Sequence, residues 1–155
     1  MLNILKSKRL LTGLLSLCLA QTALATELSE NNKVMPQLKA ALTDKVLTEA
    51  EIMQGADQTQ LLYRHCIDET VGKLKAMYPD SDAKTLIDTV NQSCIYSEDS
   101  FNLYSILLAA ASMKKPMSEK QAVVFLENDY KKIGRDQASH EQRIQIFKNV
   151  GLIKK

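Results

Sequence analysis

The sequence predicts an all-α fold: one small bundle of five or six helices around an antiparallel helical hairpin stapled by a disulfide. Three observations carry this reading. Apolar residues recur at helical spacing in successive segments, and no stretch alternates apolar and polar side chains as a half-buried strand would. Capping patterns and Gly or Pro stops separate those segments. Cys66 and Cys94 lie 13 residues before (79 − 66) and 15 residues after (94 − 79) Pro79. In two helices folded back at Tyr78-Pro79-Asp80-Ser81, each rising about 1.5 Å per residue, these positions meet at nearly the same height.

The chain opens with the pattern of an export signal. Lys6, Lys8 and Arg9 form a positive n-region, Leu10 to Ala20 an apolar run, and Ala23-Leu24-Ala25 an A-x-A cleavage site. The run is shorter than the roughly 20 residues a membrane-spanning helix needs. Leu17, before Cys18, does not suit a lipobox. The expected division is a cleaved signal peptide over 1–25, a flexible polar lead over 26–33 and a helical domain over 34–155. The expected location is periplasmic or secreted, with the membrane engaged only through the signal peptide.

Pro36 suits the first turn of a short helix ending near Leu42, with Val34, Leu38 and Leu42 on one side. Thr48 and Glu51 form a capping box that starts the next helix. Gly55 is expected to break or kink it before the first hairpin arm, about Asp57 to Tyr78. That arm places Tyr63, Ile67, Val71, Leu74, Met77 and Tyr78 on one stripe with Cys66 at its edge. Gly72 falls outside the stripe and suggests a closely approaching backbone. Pro79 stops the arm, Asp80 or Ser81 caps the second one, and Ala83, Leu86, Ile87, Val90 and Cys94 form its stripe.

Ser97-Glu98-Asp99-Ser100 reads as a short loop of cap residues. Phe101 to Met113 has almost no polar face, so burial on several sides is expected. Ser118 and Gln121 form a second capping box, followed by a stripe of Ala122, Val123, Leu126, Tyr130 and Ile133. Lys131, Lys132 and Gly134 end that helix. Ser139-His140-Glu141-Gln142 repeats the capping pattern before a last helix with His140, Ile144, Phe147 and Gly151 on one side.

Composition bounds the function. Removing the three signal cations leaves 20 − 3 = 17 Lys+Arg against 18 Asp+Glu, a net charge near −1. A nucleic-acid binder needs a basic stripe, so no nucleic-acid partner is expected. The charge is uneven: Glu49 to Asp99 holds ten acids and four bases, Lys131 to Lys155 seven bases and two acids. Such a split either docks the basic end on the acidic middle or leaves a polarised surface that steers a charged protein partner. Lys131, Lys132, Arg135 and Arg143 are the candidate partner-binding residues.

No motif demands catalysis, and neither a cofactor nor a metal is expected. His65 and Glu69 share a helix turn, but no second His or Cys stands at a ligand spacing. There is no G-x-S-x-G and no glycine-rich phosphate loop. The absence of C-x-x-C leaves Cys66–Cys94 as a structural disulfide in an oxidising compartment. The expected role is binding another protein of the cell envelope as an inhibitor, immunity or accessory factor, aided by aromatics such as Tyr96 and Phe125 that are not all buried. The runner-up is an apolar small molecule or lipid, held by the Phe101–Met113 helix with Met53, Met77, Met113 and Met117. An enzyme of unknown class is the third reading.

Overall fold

Helices at Pro36–Ala41 (α1), Glu49–Met77 (α2), Ala83–Ser93 (α3), Ile95–Ser112 (α4), Glu119–Ile133 (α5), Arg135–Ala138 (α6) and His140–Asn149 (α7) follow one another. A computed structural model describes residues 33–138, 140–149 and 151, without the side chains of 136, 140–142 and 146. The expected signal peptide, nearly all of the polar lead, Cys18, the Ser139 cap and the His140 side chain lie outside the described residues. With α6 a single turn, the described residues otherwise form a bundle of six helices. Among the described residues no strand forms, only an isolated antiparallel bridge between Val46 and Ser118.

The hairpin of α2 and α3 is closed by a Cys66–Cys94 disulfide, with the two Cα atoms 5.9 Å apart. Thr48 starts α2 through a complete capping box: Glu51 N–H donates to the Thr48 hydroxyl, and the Thr48 N–H donates to the Glu51 carboxylate. Lys45 also reaches Glu51 at 2.7 Å. That contact first, and the Thr48 amide second, hold the Glu51 carboxyl down at about 2. The second arm begins one or two residues later than the sequence suggests. Asp82, not Asp80 or Ser81, is its cap, accepting from the Thr85 N–H at 2.9 Å.

Gly55 does not break α2, which runs unbroken through it. Its missing side chain has a different use. A Cβ built there would lie 1.9 Å from Cε1 of Tyr104, so the ring of α4 packs directly on the α2 backbone. The Tyr104 hydroxyl donates to Glu119 at 2.8 Å, tying this crossing to the start of α5. Gly72 faces open space, with no approaching backbone.

The apolar residues form two clusters. One joins α1 (Leu38), the start of α2 (Ile52), the second half of α4 (Leu103, Leu107) and α5 (Val123, Leu126). The other joins the middle of α2 (Tyr63, Ile67, Val71), α3 (Leu86, Val90), Cys94 and Phe147 of α7. Tyr63 and Phe101 stack there with ring centroids 5.8 Å apart. Leu74 is only partly buried, and Met77 and Tyr78 at the end of the α2 stripe are exposed. Cys94 is 1 % exposed, so the staple is part of this core.

α4 departs most from expectation. Ser97–Ser100 is not a loop: α4 starts at Ile95 and continues through it. Nor is α4 buried all round, since Leu108 and Met113 are exposed. Its buried stripe instead includes Glu98, Asp99 and Asn102, which stand along the helix between residues of the two apolar clusters.

Candidate functional site

Two adjacent acids on one helix point in different directions, and here each meets its own arginine. Glu98 is 1 % exposed and accepts a hydrogen bond from Arg143 of α7. Asp99 is fully buried and accepts from Arg135 of α6 through Oδ1. The same oxygen takes the Tyr130 hydroxyl at 2.9 Å, and Oδ2 takes the Met35 backbone N–H at 2.8 Å. Asn102 donates to the Tyr130 oxygen at 3.0 Å, so that hydroxyl accepts once and donates once. The Arg135 guanidinium lies 4.5 Å from the Tyr130 ring centroid, a cation–π contact. Burial first, and the nearby Asp99 charge second, push the Tyr130 phenol far above its ordinary value. Tyr63 is raised in the same way, by burial and then by Glu98.

Two carboxylates and two guanidiniums balance in charge. Burying such groups is costly, and the pairs offset that cost through geometry and hydrogen bonds. The polar cluster therefore fixes which segments meet on α4: the N-terminal segment at Met35, α5 at Tyr130, α6 at Arg135 and α7 at Arg143.

This changes the standing of the four predicted cations. Arg135 and Arg143 are engaged inside the fold, their side chains 11 % and 8 % exposed. A buried guanidinium cannot meet a partner without leaving its carboxylate, so these two are architectural. Lys131 and Lys132 are exposed in the last turn of α5. The uneven charge along the sequence is thus partly internal, because the basic end docks on the acidic middle through Arg143–Glu98 and Arg135–Asp99.

What the bundle leaves on its surface is clearest on α5. Ala122, Val123, Leu126 and Tyr130 are buried as expected, but Ile133 is exposed. On the opposite side Val124 is 54 % and Phe125 55 % exposed. A seven-residue step is nearly two helical turns, so Lys131 stands above Val124 and Lys132 above Phe125, each about 10 Å further on. Gln121, Asn128 and Asp129 complete that exposed side. The N-terminal end of α5 is anchored: Ser118 makes a full capping box with Gln121, and Lys120 pairs with Asp44 at 2.6 Å. Tyr96, on α4 just beyond the staple, is also exposed.

The remaining candidates resolve simply. His65 and Glu69 are both exposed, 3.8 Å apart, and Lys73 takes the same carboxylate at 2.7 Å. The lysine first, with His65 a lesser contributor, lowers the Glu69 carboxyl below its usual range. Among the described residues no group of three or more His, Cys, Asp or Glu side chains could hold a metal ion. Met53, Met77 and Met113 face solvent, and only Met117 packs against the core. Among the described residues no helix is long and apolar enough to cross a membrane. No family model, curated protein or solved structure matches this chain.

Proposed function

We propose that this chain is an exported helical domain that acts by binding another protein, with the outer side of α5 as its contact surface. The observation that carries this reading is the pairing of Val124 and Phe125, both more than half exposed, with Lys131 and Lys132 on the same side of one anchored helix. A half-exposed Phe gives a partner a large apolar area to cover, and flanking lysines add a charge component to association. The rigid setting lowers the ordering cost of binding: α5 is capped at one end, cored by Leu126 and Tyr130, and joined to α4 by the Tyr104–Glu119 hydrogen bond. An inhibitor, immunity or accessory role would use the same surface.

Capture from an envelope extract tests this, comparing the natural chain with two variants, Val124→Ser with Phe125→Ser, and Lys131→Glu with Lys132→Glu. A partner retained by the natural chain and lost from both folded variants supports the reading. The lysine variant should lose more at low salt than at high salt. Equal capture by all three proteins would remove α5 as the contact surface.

A further inference from the structure

We propose that Cys66 is the exchange site of the staple, the sulfur that a thiol or a thiol–disulfide oxidoreductase engages. Cys94 is its buried resolving sulfur, and Thr70 is the hydrogen-bond donor to that sulfur. Forming the staple takes two electrons and two protons from a dithiol. An oxidant carrying a disulfide must therefore meet this chain at one sulfur or the other.

The two sulfurs are not equivalent. Cys94 is 1 % exposed and belongs to the cluster with Tyr63, Ile67 and Val90. Cys66 is only partly buried at the edge of that cluster, and its Sγ lies 4.0 Å from the Ser93 carbonyl oxygen in an exposed contact. Exchange is an in-line displacement, in which the incoming thiolate approaches one sulfur from the side opposite the other. Attack on Cys94 would have to come through the packed cluster, which has no room for a nucleophile. Attack on Cys66 comes from outside it. Leu62, exposed one helical turn before Cys66 on α2, gives an oxidoreductase apolar surface next to the sulfur.

The step balances in both directions. In opening, a thiolate forms a bond to Cys66 Sγ, the bond between Cys66 and Cys94 breaks, and the electron pair leaves on Cys94 Sγ, which then takes a proton. In closure, the Cys94 thiolate attacks the mixed disulfide at Cys66 and displaces the oxidant's thiolate. Either way, negative charge appears at Cys94, in apolar surroundings where an uncompensated charge is costly. The Thr70 hydroxyl stands 3.7 Å from Cys94 Sγ. A disulfide sulfur carries no hydrogen, so the hydroxyl is the donor of that contact. It is placed to strengthen the contact as the charge develops.

Reduction of the folded natural chain by dithiothreitol tests the proposal, with loss of the staple followed by mass spectrometry. The rate should be proportional to thiol concentration. Urea below the unfolding transition should change it by less than about twofold, because the site is open in the folded chain. A bond reached only by unfolding would be reduced at least about fivefold faster for each molar step in urea, and that result would overturn the proposal. Single variants locate the sulfur. Treated with glutathione disulfide, folded Cys94→Ala should take up glutathione at Cys66 at least about tenfold faster than folded Cys66→Ala does at Cys94. The difference should vanish in denaturant. Equal rates in the two folded variants would overturn the assignment, and the urea dependence decides if either variant fails to fold. Thr70→Val should slow reduction of the natural staple by about threefold or more, while leaving glutathione uptake at Cys66 unchanged in a Cys94→Ala background. Reduction at the natural rate would remove Thr70 from the site.

Discussion

Replacing Cys66 and Cys94 together by alanine should lower the melting temperature by about 14 °C. The crosslink closes a loop of 28 residues. In the chain-entropy account a loop of that length removes about 12 cal/mol/K from the unfolded ensemble, or about 3.6 kcal/mol at 25 °C. At about 2.1 cal/mol/K per residue, a domain of about 120 residues has an unfolding entropy near 0.25 kcal/mol/K, and the quotient is about 14 °C. Alanine is the cleaner replacement for Cys94, because a serine hydroxyl there would be buried in the apolar cluster. The lost sulfur atoms add a cavity contribution of the same sign. Calorimetry of the natural chain, the natural chain under reductant and the double variant gives the number. A shift below about 3 °C would mean that the unfolded chain is not the state the staple acts on, and the entropic reasoning would be wrong. Partner capture by the folded double variant should be unchanged; its loss would make the sulfurs part of the contact surface.

Gly55→Ala should destabilise by about 1–3 kcal/mol because the Tyr104 ring must move, whereas Gly72→Ala, facing open space, should stabilise by up to about 1 kcal/mol; opposite signs in urea melts are the check. Arg135→Met should cost about 3 kcal/mol or more by leaving Asp99 buried without this cation, while Lys131→Met should change stability by less than about 0.5 kcal/mol. In base, Tyr104 is pushed up to about 12 by burial and then by its bond to Glu119. Its contribution is complete below the ordinary tyrosine value of about 10 and is lost as pH rises towards 12, so melting temperature should fall across that window. In acid, Glu51 acts in the opposite sense: its contribution is complete above the ordinary glutamate value of 4.5 and is lost as pH falls towards about 2, an effect that Lys45→Met, which removes the strongest contact, should reduce most.

The fold is legible in the sequence where the structure is itself local. The Tyr63–Ile67–Val71 stripe, the Thr48 and Ser118 capping boxes, and the hairpin that brings Cys66 to Cys94 all depend on residues close in sequence or on one helical rise. A distant residue decides elsewhere, and there the local pattern misleads. Glu98 and Asp99 look like surface cap residues, and their partners stand 45 and 36 positions away. A usable signal was present: the buried stripe of α4 keeps helical spacing through Cys94, Glu98, Asn102 and Leu103. Gly55 likewise looks like a break until Tyr104 lies on it. The four cations at the basic end were one group in the sequence, but residue type divides them. The two arginines, whose planar forks suit buried carboxylates, are inside, and the two lysines are outside.

The N-terminal segment is fixed by partners far along the chain. Met35 bonds Asp99, Lys39 pairs with Glu127 at 2.8 Å, Thr43 N–H donates to Glu119, and Val46 bridges Ser118. Those separations run from 64 to 88 residues for the side-chain bonds. During synthesis α1 emerges before α2, yet it has nowhere to settle until α4 and α5 exist. The first described helix made is therefore among the last to be locked, and the loop closures that lock it are long and entropically slow. A ribosome-stalled chain that stops short of α5 would display Leu38 and Leu42 uncovered, an apolar segment open to chaperones while synthesis pauses.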